Sequence, residues 1–566
     1  MKNTGNPTPN VAQKMVEQLV ESGVERIYAI TGDSLNALTD AINKDGRIKF
    51  IHVRNEEAAA FAASAEAQLT GKLAVCAGSS GPGHVHLING LYDAQRSNAP
   101  VLALASTCAS SMFGTGYFQE TNPTLLFSNC SVYNEMAITP SQVPSMLHGA
   151  MQEAISKGGV GVVGLPADVI TEPATTDSAS TIPSYTTLMP IPSEEEIQES
   201  VNLINSAKKI AIFVGMGASE SVSSVRELAD KLKAPLITTY KSQMEMTRNM
   251  PNYVGHMGYL GMWSAENAVS DADLVIILGT NFPYPGFFPT DKSIIQVDIR
   301  AERLGKRAKL KLGIRSDSKA FIEAILQKVN KKTDSEFLKK ALSDYAEIKN
   351  MMKIPVDNPG KEFAIRPEFM LATLDRLAED DCIVTVDTGM NNVWTSHYLT
   401  SGKSRKMIGS FTHGSMANAL PMAIGAACSR PDRQVISISG DGGLAMLMGE
   451  LLTIAQYKLP VKILGADNRA LAFVKWEMEL ADYSPSEVNL LNPDFGEMAR
   501  TMGFFAETVT KPENLEEAMK RWLNAEGPAL LSVTTDTNAA SFTFSKDLMH
   551  KATPENVISN FMVPGV

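Results

Sequence analysis

Two short stretches of the chain carry the residue types that hold a hard cation and a phosphate. Gly440-Asp441-Gly442-Gly443 follows the apolar run Gln434–Ile438 and opens a helical run, Leu444–Tyr457. A second apolar run, Val461–Leu464, leads to Asp467-Asn468, and Asn468 follows Asp441 by 27 residues. That interval is the size of one strand–helix–strand crossover. A right-handed crossover brings the carboxyl ends of both parallel strands to one sheet edge, so Asp441 and Asn468 can converge. One carboxylate, one amide oxygen and a backbone carbonyl suit Mg²⁺, which prefers oxygen ligands and keeps phosphate oxygens in its shell. The glycines let main-chain N–H groups at a helix start approach a diphosphate. By itself, G-D-G-G is also an ordinary strand-to-helix turn.

A third stretch offers an acid at another strand-to-helix junction: Ile51-His52-Val53-Arg54-Asn55-Glu56-Glu57. Taken alone, Glu56 is a first-turn helix acid, favoured there by the helix dipole. Gly215-Met216-Gly217 follows the run Ile210–Val214 and provides a turn that a dinucleotide phosphate can approach, although a tight turn also uses such a pair. Asp298, at the end of the run Ile295–Ile299, is placed to bind a ribose hydroxyl or an adenine nitrogen.

These residues need a scaffold, and the hydrophobic rhythm supplies three similar units. In the first, Arg26–Ile30, Ile48–Val53, Leu73–Cys76, Val101–Leu104 and Val160–Val163 read as strands between helices at Val11–Ser22, Ser34–Ile42 and Asn55–Leu69. The second has strands at Ile210–Val214, Pro235–Thr238, Leu274–Leu278 and Ile294–Val297, with helices at Glu194–Ser206, Ser219–Leu232 and Ser318–Val329. The third has Cys382–Val386, Gln434–Ile438, Val461–Leu464 and Ala529–Val533. Continuous apolar strands alternating with helices mean α/β units, each a doubly wound parallel sheet covered on both faces. Thr-, Ser- and Pro-rich residues from Glu172 to Pro192 read as one linker. The charged helical stretch Ser335–Lys353 with the turn Ile354–Gly360 reads as the second. The boundaries expected are 1–185, 190–345 and 360–540, with a tail over 541–566.

Bulk composition narrows the class. A chain of 566 residues is too long for one core, and 44% hydrophobic with 20% charged residues is ordinary for a globular protein. A net charge of −11 argues against a nucleic-acid partner. Five scattered cysteines without C-x-x-C spacing suit reduced thiols and a cytoplasmic setting. No apolar stretch reaches the length of a membrane span.

The motifs together resemble the thiamine-diphosphate enzymes, whose signature is Gly-Asp-Gly followed at this interval by Asn-Asn. Asp467 stands at the first position of that pair, and its role stays unassigned. Further matching stretches are Ser79-Ser80-Gly81-Pro82-Gly83, Asn89–Ala94 and Gly409–Gly425. The segments Met257-Gly258-Tyr259-Leu260, Gly279–Tyr284 and Phe287–Asp291 are similar to the flavin domain of bacterial pyruvate oxidases and quinone-linked pyruvate dehydrogenases. The match to these enzymes as a whole is close above all at Gly116–Thr121. The resemblance runs from about residue 10 to residue 540.

The resemblance implies a ThDP-, Mg²⁺- and FAD-dependent pyruvate oxidase. Pyruvate would be decarboxylated through hydroxyethyl-thiamine diphosphate, with two electrons passing to FAD and then to O₂ or a quinone. Acetate or acetyl phosphate would result, the latter with phosphate as co-substrate. An acetolactate synthase-type carboligase with non-redox FAD is the alternative. Carried over by residue, Glu56 activates the coenzyme, Phe118 and Gln119 line the substrate side, and Phe473 and Glu477 close the pocket. Asp441, Asn468 and the main-chain oxygen of Ala470 hold the metal. The coenzyme would lie against Gly32, Gly81, Gly414, Ser415, Met416, Gly440, Asp441, Gly442, Gly443, Asn468 and Leu471, with Met416 bending it. FAD would lie against Gly215, Gly217, Met257, Gly258, Tyr259, Leu260, Thr280, Asn281, Phe282, Pro283, Tyr284 and Asp298. Ala472 stands where relatives commonly have Gly. The family also implies active sites shared between chains in a dimer-built homotetramer. Membrane contact would be peripheral at most, on the inner face, through a short helix beginning at Thr553-Pro554.

Overall fold

A computed structural model describes residues 8–175, 183 and 189–539. Its three sheets have six strands each, and every pairing within them is parallel. The first contains β1 (Arg26–Ala29), β2 (Lys49–His52), β3 (Ala74–Gly78), β4 (Val101–Thr107), β5 (Tyr133–Met136) and β6 (Val160–Pro166), in the order β2-β1-β3-β4-β6-β5. The second contains β7 (Ile210–Val214), β8 (Leu236–Thr239), β9 (Tyr253–Met257), β10 (Leu274–Leu278), β11 (Ser293–Asp298) and β12 (Leu312–Arg315), in the order β12-β11-β10-β7-β8-β9. After a hairpin, β13 (Gly360–Lys361) and β14 (Ala364–Ile365), come β15 (Ile383–Val386), β16 (Lys406–Gly409), β17 (Val435–Gly440), β18 (Val461–Asp467), β19 (Phe505–Val509) and β20 (Ala529–Thr534). The third sheet runs β16-β15-β17-β18-β20-β19, which repeats the topology of the first.

The fold class read from the sequence is the one found, because the central strands are buried on both faces. β4, β6, β7, β10 and β18 have no exposed position, so they are built mainly from β-branched and aliphatic residues. The first and third sheets share one apolar core. The Ala-rich helix Glu56–Thr70 lies against the helix Ala419–Ser429, and residues of both sheets meet around that pair. The approach is backbone to backbone: a Cβ on Gly425 would overlap the Ala62 carbonyl. Gly425→Val is therefore expected to destabilise the protein by about 2 kcal/mol or more, measured as a lower urea midpoint. An unchanged midpoint would mean that this helix pair does not set the core.

The structure departs from expectation in three respects. Ser335–Gly360 is not a linker, since Glu336–Asp357 is one helix that buries Ile348, Met352 and Pro355 and packs on the helix Trp263–Ser270. Pro355 falls in its final turn, where the lost N–H costs little further helix. The run Leu444–Tyr457 is two helices, Asp441–Met446 and Glu450–Gln456, separated by Leu447, Met448 and Gly449. The strands β5, β9, β12, β16 and β19 were not anticipated. β5, β9, β12, β16 and β19 are all edge strands, and most carry polar positions that dilute the apolar signal. Much of the Glu172–Pro192 linker and the tail from 541 onward, with its Thr553-Pro554 helix, lie outside the described residues. Among the described residues no helix is long and apolar enough to cross a membrane.

Candidate functional site

In a doubly wound sheet the ligand crevice forms where neighbouring strands send their connections to opposite faces. In the third sheet that point lies between β15 and β17, and the strand ends there are Asp387 and Gly440-Asp441. β18 lies beside β17 and ends at Asp467, so Asp441 and Asp467 come together as the crossover requires. The Asn492 amide donates to Asp441 Oδ2 at 2.8 Å and to Asp467 Oδ1 at 2.9 Å, bridging the two buried carboxylates. Asp441 also accepts from the Gly442 N–H at 2.9 Å. Burial first, and the Asp467 charge second, push the Asp441 carboxyl up to about 6.

Two acids held together away from water are what a divalent cation would relieve, and the donors are all hard oxygens. Asn468 folds into a tight turn, its Oδ1 accepting from the Ala470 N–H at 3.0 Å. Among the described residues no group of three or more His, Cys, Asp or Glu forms a cation cluster; the oxygens at this turn are those of Asp441, Asp467 and the Asn468 amide. The residues present therefore fit Mg²⁺ with a diphosphate. A Cβ on Gly442 would lie 2.9 Å from Leu471, 3.2 Å from Met416 and 3.3 Å from Leu490. Gly442 thus joins the two apolar residues, Met416 and Leu471, expected against the coenzyme. Gly443 has a different neighbour: a side chain there would overlap the buried Asp387 carboxylate. Asp387 is pushed up to about 7 by burial, although the Thr388 N–H and the Asn418 amide donate to it at 3.0 and 3.1 Å.

The second cluster sits at the corresponding point of the first sheet. Glu56 opens the helix after β2 and is 6% exposed. Its Oε2 meets His86 Nδ1 at 3.0 Å, and Asn55 caps the helix by accepting from the Glu57 N–H at 2.8 Å. Gly83 packs beside Glu56, Gly32 packs on Ser79, and Gly81, at φ +63°, packs on Gln119. Ser80 donates to Gln119 Oε1 at 3.2 Å. Next to Gln119, Phe118 is 74% exposed on a loop organised by Glu120, whose carboxylate accepts the N–H groups of Gly114, Gly116 and Tyr117. The structure thus gathers Glu56, Gly32, Gly81 and Gln119. Among the described residues no hydrogen bond or ion pair joins Glu56 to Asp441.

Asn89 stitches the two domains together. Its amide donates to Glu57 Oε1 at 2.7 Å and to Ser415 Oγ at 2.8 Å. Gly414 adopts φ +79° just before Ser415 and Met416. Phe473 stands near the start of the helix Ala472–Leu480, half-buried against Trp476 with ring centroids 5.8 Å apart, and burial raises the Glu477 carboxyl. His86, Asn492 and Asp387 were missed in the sequence. Asp387 carried a usable signal, an acid at the end of a β-branched strand, as Asp298 did. Asn492 had none, because it lies in a loop 25 residues beyond Asp467.

Read outward from the β7/β10 switch point, the central sheet has the order 3-2-1-4-5-6 of dinucleotide-binding domains. Gly215 and Gly217 stand there, but a side chain at either would strike Thr280 or Gly279, so the tight approach is between the two loops of this chain. Met257–Leu260 and Thr280–Tyr284, the latter including Asn281 and Pro283, form adjoining loops. Tyr259 packs edge-on to Tyr284 at 4.4 Å, and Phe282 packs on Tyr284 at 5.2 Å. At the end of β11, buried Asp298 accepts from the Arg300 N–H at 2.9 Å through Oδ1. Its Oδ2 has no hydrogen-bond partner, and Arg303 Nη1 is 3.8 Å away. An orphaned buried acceptor of this kind fits a ribose hydroxyl.

Comparison with known proteins agrees with this arrangement. Three segments match the thiamine pyrophosphate enzyme domains: the N-terminal TPP binding domain over 9–126, the central domain over 197–325 and the C-terminal TPP binding domain over 387–533. A Bacillus subtilis protein named as thiamine pyrophosphate-containing, YdaP, is 34% identical over 92% of this chain and 91% of its own. The chain belongs to the thiamine pyrophosphate enzyme family. Within that family, pyruvate oxidase of Lactiplantibacillus plantarum is 31% identical over 92% of this chain and 87% of its own. The large subunit of Escherichia coli acetolactate synthase isozyme 2 is 29% identical over 93% and 96%. Family membership makes this a thiamine-diphosphate-dependent enzyme, whose coenzyme domains are those built on the first and third sheets.

Proposed function

We propose that the chain oxidatively decarboxylates a small 2-oxo acid, pyruvate above others, and delivers two electrons to FAD in the central domain, and from there to O₂ or a quinone. The observation that carries the flavin half is Asp298, with one buried carboxylate oxygen that accepts no hydrogen bond at the end of β11, in a sheet of dinucleotide-binding order. The name of the Lactiplantibacillus relative supports pyruvate as substrate.

Thiamine diphosphate supplies, when bound, a cationic ring that accepts the electron pair left by departing CO₂. The chain's own residues supply position and proton control. Asp441, Asn468 and the Ala470 carbonyl hold Mg²⁺, and the Gly440–Gly443 turn takes the diphosphate. Glu56, oriented by His86, holds a proton against the coenzyme's pyrimidine ring. Gln119, fixed by Ser80, and Phe118 border the substrate, and Phe473 and Glu477 close the pocket. Burial raises Glu477, which keeps it able to carry a proton closer to neutral pH. Acetate, or acetyl phosphate where phosphate attacks, leaves as product. The exposure of Phe118 in the single chain supports a site completed by a second copy, in a dimer-built homotetramer.

Anaerobic mixing of the purified holoenzyme with pyruvate tests this reading. The yellow flavin should bleach and CO₂ should appear, and re-admitted oxygen or a soluble quinone should restore the colour. Acetolactate formation with the flavin still oxidised would overturn the oxidase in favour of a carboligase.

A further inference from the structure

The turn that presents Glu56 is held by another domain. β2 is the outer strand of the first sheet, so its outward amides and carbonyls have no strand to pair with. Side chains of the helix Glu450–Gln456 and the residue after it replace that strand. The Tyr457 hydroxyl accepts from the His52 N–H at 2.7 Å and donates to the Phe50 carbonyl at 3.1 Å. Glu450 Oε1 accepts both the Arg54 N–H and the Asn55 N–H at 2.9 Å, and its Oε2 accepts the Thr453 hydroxyl at 2.7 Å. The Arg54 guanidinium donates to Gln456 Oε1 at 2.6 Å. Glu450 is 1% exposed, and these bonds, with the nearby Arg54 charge, compensate it for leaving water.

This helix is also the continuation of the cation turn. Only Leu447, Met448 and Gly449 separate it from Asp441–Met446. Whatever fixes the Asp441 turn therefore fixes the start of the next helix, where Glu450 sits. Glu450 grips the two residues immediately before Glu56, including the cap residue Asn55.

We infer that Glu450 is a positioning residue that transmits occupation of the diphosphate–cation turn to Glu56 of the same chain. The inference rests on the roles given above to Asp441 and Glu56. Ordering of the Asp441 turn holds Glu450 in register, and Glu450 holds the 54–55 amides. The priming acid is then set only when its own chain carries a diphosphate. If each active centre combines Glu56 of one chain with Asp441 of another, the clasp links two centres rather than the parts of one.

Hydrogen exchange of the full-length protein, freed of cofactors, tests this with Mg²⁺ and inorganic pyrophosphate as the probe. In the wild type, exchange over residues 440–446 and over residues 50–57 should slow together, by about tenfold. In Glu450→Ala the first segment should still slow while the second does not. Glu450→Gln keeps an oxygen that accepts both N–H groups and should restore the response. Equal slowing at 50–57 in wild type and Glu450→Ala, or slowing at 440–446 alone in the wild type, overturns the inference. Failure of the probe to protect 440–446 at all overturns the assignment of the cation turn instead, and the inference with it.

Discussion

Glu56→Gln is expected, on the proposed reaction, to lower turnover by about 10³-fold while the protein keeps its fold and its cofactor binding. The side chain is nearly isosteric, and the environment explains why so small a change should matter. Glu56 is buried, its Oε2 is met by His86 at 3.0 Å, and the helix begins at this residue under an Asn55 cap. An amide there can still fill the space, but it cannot exchange a proton with the coenzyme as a carboxylate can. The check is the steady-state rate with pyruvate and a dye acceptor, together with flavin content and coenzyme affinity. Wild-type turnover in a fully loaded variant would remove Glu56 from the chemistry. Loss of coenzyme binding instead of rate would make it a binding residue.

Asp441→Asn is expected to weaken Mg²⁺ binding by about 100-fold or more, and coenzyme binding with it. Wild-type affinity should itself depend on pH in a way the structure dictates. Burial and the neighbouring Asp467 raise the Asp441 carboxyl to about 6, so below that pH the group holds a proton that the cation must displace. Affinity should therefore rise about tenfold between pH 5 and pH 7 and level off above. The sign for the metal-free protein is opposite. An acid whose folded value is raised stabilises the fold at low pH, and that contribution is lost as pH climbs from about 4 through about 6. Titration of the metal-free protein with Mg²⁺ at several pH values decides the first point, and its urea midpoints at the same pH values decide the second. A flat profile would mean that Asp441 is already ionised and that the carboxylate pair is relieved by something other than a cation.

Much of this was legible in the residues. The buried central strands were found because two-sided burial leaves an unbroken apolar run. The meeting of β17 and β18 follows from the crossover length alone. Glu56 was visible from its place between the run Ile51–Val53 and an Ala-rich helix. The failures have the opposite character. Edge strands such as β5 and β19 are half-polar and look like loops. The helix Glu336–Asp357 was cut short at Pro355 because a proline one turn from the end reads like a terminator. His86 and Asn492 act through partners that the chain brings together only on folding, Asn492 by bridging two acids and His86 by meeting a residue from another element. A side chain at Gly215 or Gly217 would strike Thr280 or Gly279, a close approach that the spacing of the two glycines does not disclose. A glycine records that something comes close, not what it is.

The coenzyme-binding pair is welded through Ala62 and Gly425, whereas most of the middle sheet's apolar side chains are buried among themselves. Mutational drift in the middle unit need not disturb the seam on which the vitamin-derived coenzyme depends. Architecture of this kind lets a lineage vary its central unit while the coenzyme apparatus stays under separate selection.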